Sequence, residues 1–195
     1  MAAPPQRIEN PLIEQALDVR IQNVVASGNL GHRIDLDAIV KAFPHVEYNP
    51  KRFPGLVFRL KRPKTTTLIF STGKMICTGA KSEKLAQSAI RKTVRLLREN
   101  GLILLSKVTI EIVNVVATVD LGRSVGLKLA EVALNDVMYE PEQFPGLIIR
   151  MQEPKVVMLI FASGKMVCTG GRSEALVHEA AEKMSKMLEE ENLFL

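Results

Sequence analysis

Tryptophan is absent from the 195 residues, tyrosine occurs twice, and all aromatics together make up 5% of the chain. A core with so few rings has to be aliphatic, so a phenylalanine placed at a turn asks for a reason other than packing. Cysteine occurs only at Cys77 and Cys168, which excludes a disulfide-rich framework. The three histidines, His32, His45 and His178, lie in unrelated segments, the cysteines lack metal-ligand spacing, and Gly73-Lys74 lacks the glycine frame of a phosphate-binding loop. No catalytic constellation, metal or cofactor is therefore expected. No apolar run approaches the roughly 18 residues of a membrane span. The opening MAAPPQRIENPLIEQALDVR carries prolines and charges where a signal peptide has its apolar stretch. The expectation is a soluble protein that stays where it is made, with no membrane partner and with both cysteines reduced.

What the chain does have is repetition. Residues 21–104 align with 112–195 at a constant offset of 91, without a gap, with 37 identities in 84 pairs. The longest matched block is GKMICTGAKSE at 73–83 against GKMVCTGGRSE at 164–174; NVVA, FPGL and LIF also recur. A long period present only twice points to a duplicated domain with pseudo-twofold symmetry, since short solenoid units need three or more copies to bury a core. The organisation is thus an N-terminal extension 1–20, repeat 1 over 21–104, a linker 105–111 and repeat 2 over 112–195. Cys77 and Cys168 are equivalents, and both read as small buried apolar residues.

The formal charge of +5 hides an asymmetry. Residues 21–101 hold 15 Lys/Arg against 5 Asp/Glu, whereas 112–195 hold 8 against 12. The halves share apolar and glycine positions but differ in electrostatic surroundings, so their outer faces should meet different partners. The basic excess suits a polyanion without proving one.

Within one repeat, IQNVVASG reads as a strand and RIDLDAIVKAF as a short helix stopped before Pro44. VEY, GLVFRL, TTTLIFS and KMICTG read as further strands. A long helix follows, N-capped by Ser82, with Leu85, Ala89, Ile90, Val94, Leu96 and Leu97 as its apolar stripe and Gly101 as its stop. The order is β-α-β-β-β-β-α, twice. The strand period of two sorts Val24, Ala26, Ile69, Met75 and Cys77 to one face and Asn23, Val25, Leu68, Phe70, Lys74, Ile76 and Thr78 to the other. The helices suffice to cover one face only. A two-layer α+β sheet would then leave an open apolar face, and such a face is a binding surface by default. Phe53 sits in a Lys51-Arg52-Phe53-Pro54-Gly55 turn, 17 positions before Phe70, as Phe144 stands before Phe161.

The paired FPGL turns, the paired LIF-x2-GK hairpins, the TGAKSE and TGGRSE helix starts and the paired NVV strands together resemble the TATA-box-binding proteins, over essentially all of 21–190. The resemblance implies a saddle-shaped, ten-stranded antiparallel sheet with four helices on its convex side. Its concave face would lie in the DNA minor groove. The family is itself a standard case of minor-groove kinking, of about 80°, so that magnitude belongs to the resemblance and owes nothing to the residue pattern.

The residues suit that chemistry. An apolar floor of Val25, Leu68, Ile76, Val116, Leu159 and Val167 would strand the guanine amino group, the one donor that distinguishes G·C from A·T in the minor groove. By the same resemblance Asn23 and Asn114, helped by Thr78 and Thr169, donate to base acceptors. Phe53 with Phe70 and Phe144 with Phe161 wedge into base steps at the two ends of the element. Arg59, Thr72, Lys74, Arg150, Ser163 and Lys165 contact phosphates. Glu140 and Glu142, in YEPEQF, match the loop that docks transcription factor B, which implies promoter assembly with RNA polymerase. The basic helix carrying Lys84, Arg91, Lys92, Arg95 and Arg98 is open to upstream DNA, an acidic regulator or solvent. A free copy could cover its apolar face by pairing with a second copy. The short N-terminal stretch and the acidic end EEENLFL resemble archaeal members, implying a cytoplasmic, nucleoid-associated protein; the basic first-repeat helix leans towards the eukaryotic, nuclear ones. The alternative is a protein-interaction or small-molecule-binding module that uses the same open sheet.

Overall fold

The computed structural model describes residues 17–104 and 107–195; residues 1–16 of the N-terminal extension and 105–106 of the linker lie outside the described residues. In chain order the elements are β1 (Asp18–Asn29), α1 (Leu36–Ala42), β2 (Leu56–Leu60), β3 (Thr65–Ile69), β4 (Lys74–Ala80) and α2 (Glu83–Glu99) in the first half. The second half repeats them as β5 (Thr109–Asp120), α3 (Leu127–Ala133), β6 (Val137–Met138), β7 (Leu147–Met151), β8 (Val156–Ile160), β9 (Lys165–Gly171) and α4 (Glu174–Glu190). β1 and β5 open three residues ahead of positions 21 and 112, at Asp18 and Thr109.

All nine strands form one antiparallel sheet in the order β2-β3-β4-β1-β5-β9-β8-β7-β6. The segment VEY, expected as a tenth strand, contributes a single bridge, Glu47 to Val57. It is the equivalent of the Met138–Ile148 pair that joins β6 to β7. A one-pair bridge and a two-residue strand differ by one ladder step, so the saddle-like sheet is the same at both edges apart from that step. The two halves meet where β1 pairs with β5. There Val24 faces its own equivalent Val115, flanked by Asn23 opposite Val116 and Val25 opposite Asn114, which places the pseudo-twofold axis between the two valines.

Strand alternation drives one side chain in two into the core. Val24, Ala26, Ile69, Met75 and Cys77 are fully buried, as are Val115, Ala117, Ile160, Met166 and Cys168. α2 lies on β4, β1 and β3, and α4 on β9 and β5. Ala86, Ala89, Ile90, Val94 and Leu97 form the buried stripe of α2, each large member worth about 1.5–3 kcal/mol. Leu85, assigned to that stripe from sequence, is 42% exposed, and Leu96 is only partly buried. The helical period centres the stripe on 86, 90, 93 and 97, and Leu85 falls past its edge. Gly101, with φ of +70°, ends the helix as expected: the amide of Leu102 bonds to the carbonyl of Leu97 and that of Gly101 to Arg98. The halves also trade core volume. Phe58 stands across from Thr67 where Ile149 stands across from Met158, so a large-small pair replaces two medium residues.

Both cysteines are free. Burial pushes the Cys168 thiol up to about 11. It also raises that of Cys77, where the hydroxyls of Thr67 and then Thr65 work against the shift. Neither is a thiolate at neutral pH, consistent with a packing role.

The N-termini of α2 and α4 meet at the pseudo-twofold axis and cap each other. Ser82 and Ser173 cap their own helices, accepting from the amides of Leu85 and Leu176. The first helical N–H of each remains, and the other helix supplies its acceptor. Glu174 Oε1 accepts from the Glu83 amide at 2.6 Å, and Glu83 Oε1 accepts from the Glu174 amide at 2.5 Å. Two positive helix ends would repel; a carboxylate from each, placed on the other, turns that contact into an attraction. Replacing Glu83 or Glu174 by alanine should lower unfolding stability by about 1 kcal/mol each, the cost of a lost cap. The glutamine variants keep an acceptor and should lose less. Denaturant titration checks this, and equal losses for alanine and glutamine would rule the clasp out.

Candidate nucleic-acid interface

The alternation that buries one set of side chains leaves its complement on the helix-free side. Rows run across the sheet there because directly paired residues share a face. In the first half Val57, Leu68 and Ile76 form one row and Arg59, Thr66 and Thr78 the next. In the second half the rows are Ile148, Leu159 and Val167, then Arg150, Val157 and Thr169. Val25 and Val116 lie beside the axis. The apolar members are all partly exposed while their neighbours along each strand are buried, so the floor predicted from sequence is where the strands place it.

Two amides stand at the centre of this floor, and their orientation is fixed. Asn23 Oδ1 accepts from the backbone amide of Gly79 at 2.8 Å, while Asn23 Nδ2 donates to Thr78 Oγ1 at 3.0 Å. Asn114 repeats the arrangement: Oδ1 accepts from Gly170 N at 2.8 Å, and Nδ2 lies 3.4 Å from Thr169 Oγ1. Gly79 and Gly170, whose amides make these bonds, adopt φ of +94° and +92°, a conformation that other residues resist. With each oxygen occupied by a backbone donor, the second hydrogen of each Nδ2 is left for a ligand's acceptor. The sequence singled out the asparagines and threonines but not the glycines that orient them.

The ring pairs lie at the far ends. Phe53 and Phe70 stack edge to face with centroids 5.9 Å apart, and Phe144 and Phe161 do so at 5.8 Å. Phe53 is 40% exposed although nothing in the core needs it. Gly55 and Gly146 make room for them: a Cβ on Gly55 would lie 2.6 Å from Phe53 Cε1 and 3.0 Å from Phe70 Cε1, and on Gly146 2.8 and 3.0 Å from Phe144 and Phe161. The FPGL turn is thus a ring holder, a function its sequence does not announce.

Polar groups surround the floor. Lys74 and Lys165 are exposed at the starts of β4 and β9. Thr72 Oγ1 and Ser163 Oγ accept from their amides at 3.4 and 3.5 Å in the preceding turns. Arg59 is ion-paired with Glu47, and both side chains are more than half exposed. Such an exposed pair is worth about 0–1 kcal/mol. Met138 replaces Glu47 at the equivalent place beside Arg150. Glu140 and Glu142 are exposed on the turn before Phe144, where the Glu140 carbonyl accepts from the amides of Gln143 and Phe144. On α2, Lys84, Arg91, Arg95 and Arg98 form an exposed stripe, whose equivalents on α4 are Ala175, Glu182, Lys186 and Glu189. Lys92 instead reaches back to the carbonyl of Arg62 at 2.5 Å. Among the described residues no group of three or more His, Cys, Asp or Glu could hold a metal ion, and no helix is long and apolar enough to cross a membrane.

A duplicated open sheet with one apolar face, two central amides and a ring pair at each end defines a saddle-like class of protein built from two repeats. The chain belongs to the family described as Transcription factor TFIID (or TATA-binding protein, TBP), which matches residues 18–100 and 109–191. It is 48% identical over 171 residues to a TATA-box-binding protein of Pyrobaculum calidifontis, covering 88% of this chain and 86% of that one. The corresponding protein of Sulfolobus acidocaldarius is 49% identical over 172 residues, with 88% and 87% covered. Among solved structures, Methanococcus jannaschii TBP superposes with a TM-score of 0.81 at 44% identity, over 88% of this chain and 98% of that one.

Gly146→Ala should move Phe144 and Phe161 apart while leaving the buried strands in place, because the clash falls on ring edges rather than backbone. Loss of ring-to-ring NOEs at an unchanged melting temperature is the expected result; intact NOEs would show that the glycine does not hold the pair.

Proposed function

We propose that this chain binds a TATA-box duplex through the minor groove, bends it, and presents the resulting complex to transcription factor B and the RNA polymerase machinery. The observation that carries the reading is the open floor itself, apolar between Leu68 and Leu159, with a donor amide on each side of the axis and rings at both ends. The minor groove of A·T pairs offers acceptors without the guanine amino group. Asn23 and Asn114 supply donors to those acceptors, and the valine, leucine and isoleucine floor supplies nothing that could pair a buried guanine N–H, a deficit of about 1–3 kcal/mol per misplaced pair. Phe53 with Phe70 and Phe144 with Phe161 wedge into the end steps. Unstacking costs a few kcal/mol per step, recovered as the kinked duplex meets more of the sheet. Arg59, Arg150, Lys74, Lys165, Thr72 and Ser163 hold phosphates and set the register.

Glu140 and Glu142 are the contacts proposed for transcription factor B, on a tip that in the first repeat carries Asn49 and Lys51 instead. A free copy would shield its floor against a second copy, so DNA and self-association compete for one surface. Repeat 1 over 21–104 and repeat 2 over 112–195 are the working halves, joined through 105–111.

A fluorescence bending assay on a TATA duplex tests the reading. Phe144→Ala with Phe161→Ala should reduce the bend and weaken binding about tenfold or more, equivalent to roughly 1.4 kcal/mol. The wild-type affinity should fall with salt at near 0.9 log unit per phosphate neutralised per log unit of salt. Unchanged bending in the double variant removes the wedge assignment; an affinity without salt dependence favours a protein or small-molecule ligand on the same face.

A further inference from the structure

Each half carries a depression at the outer edge of the sheet, lined in part by equivalent residues, and the two have exchanged their chemistry. In the second half it is a groove of about 470 Å³ between the end of α3, β7 and the last turns of α4, within the roughly 300–1,000 Å³ of ligand pockets. Its floor is apolar: Leu134, Ile149 and Met151 are buried and Met187 is partly buried. Its rim is acidic. Asp136, Glu153 and Glu191 are exposed, and none of their carboxylates has a hydrogen-bond or ion-pair partner among the described residues. Of the two cations beside them, Lys183 donates to the carbonyl of Glu153 at 2.5 Å, and Arg150 belongs to the open-face row.

At the offset of 91, Leu134 and Ile149 correspond to Phe43 and Phe58, and Met151 and Met187 to Leu60 and Leu96. Asp136 and Glu153 correspond to His45 and Arg62. In the first half Phe43, Phe58 and His45 meet edge to face, with centroids 5.1, 5.7 and 6.0 Å apart. The depression over them is bordered by Arg59, Lys61, Lys64 and Lys81 and by no acidic residue. The second half thus has thioethers in place of leucines, no ring of its own, and carboxylates in place of cations.

We propose that the second-half groove docks a basic segment of a partner protein, anchored by one aromatic side chain. The site stands apart from the open face and does not depend on the minor-groove reading. Its rim decides against a nucleic acid, because three unpartnered carboxylates repel a phosphate backbone. They attract lysine and arginine instead. An exposed ion pair changes affinity by only about 1.5- to 5-fold, so three together account for about tenfold. The floor decides the anchor. Methionine is unbranched and adapts its shape, and its sulfur makes favourable contact with the edge of a ring, so Met151 and Met187 beside Leu134 and Ile149 suit a partner's aromatic residue. The first half supplies such rings from its own chain, whereas the second has room for one from outside. A segment of this kind meets like charge over the first-half depression, so the duplicate sites discriminate by repulsion as well as attraction.

The test adds a labelled peptide, Arg-Lys-Phe-Leu-Lys-Arg, to the full chain without DNA. Binding should shift the methyl resonances of Met151 and Met187 and leave those of Leu68 and Leu159 on the open face in place. Asp136→Asn with Glu153→Gln and Glu191→Gln should weaken binding about tenfold at an unchanged melting temperature. Asparagine suits the first of these positions, where φ is +55°. A peptide with alanine for phenylalanine should bind about tenfold more weakly or worse, and one with glutamate for every lysine and arginine should leave the methionine methyls unmoved. Shifts confined to the open face, an affinity that ignores either the triple exchange or removal of the ring, or no saturable shift of Met151 and Met187 at millimolar peptide would overturn the proposal. None of these outcomes bears on binding or bending of a TATA duplex.

Discussion

The sheet has more surface than its helices can cover. α2 and α4 cap one side, and every strand then has to send alternate side chains to a side with no second layer among the described residues. A protein that exposes Val25, Leu68, Ile76 and their equivalents must either find a partner for that face or carry a standing cost in water, of the order of 25 cal/mol per Å² of apolar area. The whole molecule is arranged around that unfilled side. Core residues are mostly aliphatic, with Phe43 and Phe58 as the buried rings of the first half. The turns hold rings instead of hiding them, and the central asparagines keep a free hydrogen because backbone amides occupy their oxygens.

Duplication supplies the second organising element. Two equivalent halves joined at Val24 and Val115 make a surface that reads nearly the same from either end, as suits a duplex whose own backbone symmetry is twofold. The junction is held on both sides of the sheet: by the long β1–β5 ladder and, on the helix side, by the glutamates that cap each other's helix. Symmetry is broken on the outer surface. The basic stripe of α2 corresponds on α4 to a mixed one of Ala175, Glu182, Lys186 and Glu189, and Glu140 and Glu142 replace Asn49 and Lys51 at the tip. Within the floor itself Thr66 opposes Val157.

The fold was largely legible from the chain because its signals are local or strictly periodic. The gap-free repeat gave the symmetry, alternation in LIF and KMICTG separated core from floor, and Ser82 and Gly101 marked both ends of α2. Leu85 misled because two adjacent leucine-bearing edges fit a helical stripe almost equally until the sheet's position chooses between them. VEY fell to a single bridge because edge pairing is decided by neighbours rather than by composition. The contacts that finish the fold and the site were beyond reach of pattern. Asn23 meets Gly79 across 56 positions, Glu83 meets Glu174 across 91, and the crowding of Gly55 by two rings depends on how two turns fold together.

On the reading proposed above, the uncovered face recognises the floor of the minor groove. Replacing every A·T pair of a bound TATA duplex by inosine·cytosine separates the two grooves, since inosine lacks the guanine 2-amino group and keeps a G·C-like major-groove edge. Affinity and bend should be retained on the inosine duplex and lost on its guanine counterpart. Loss on both would place recognition in the major groove and contradict the account.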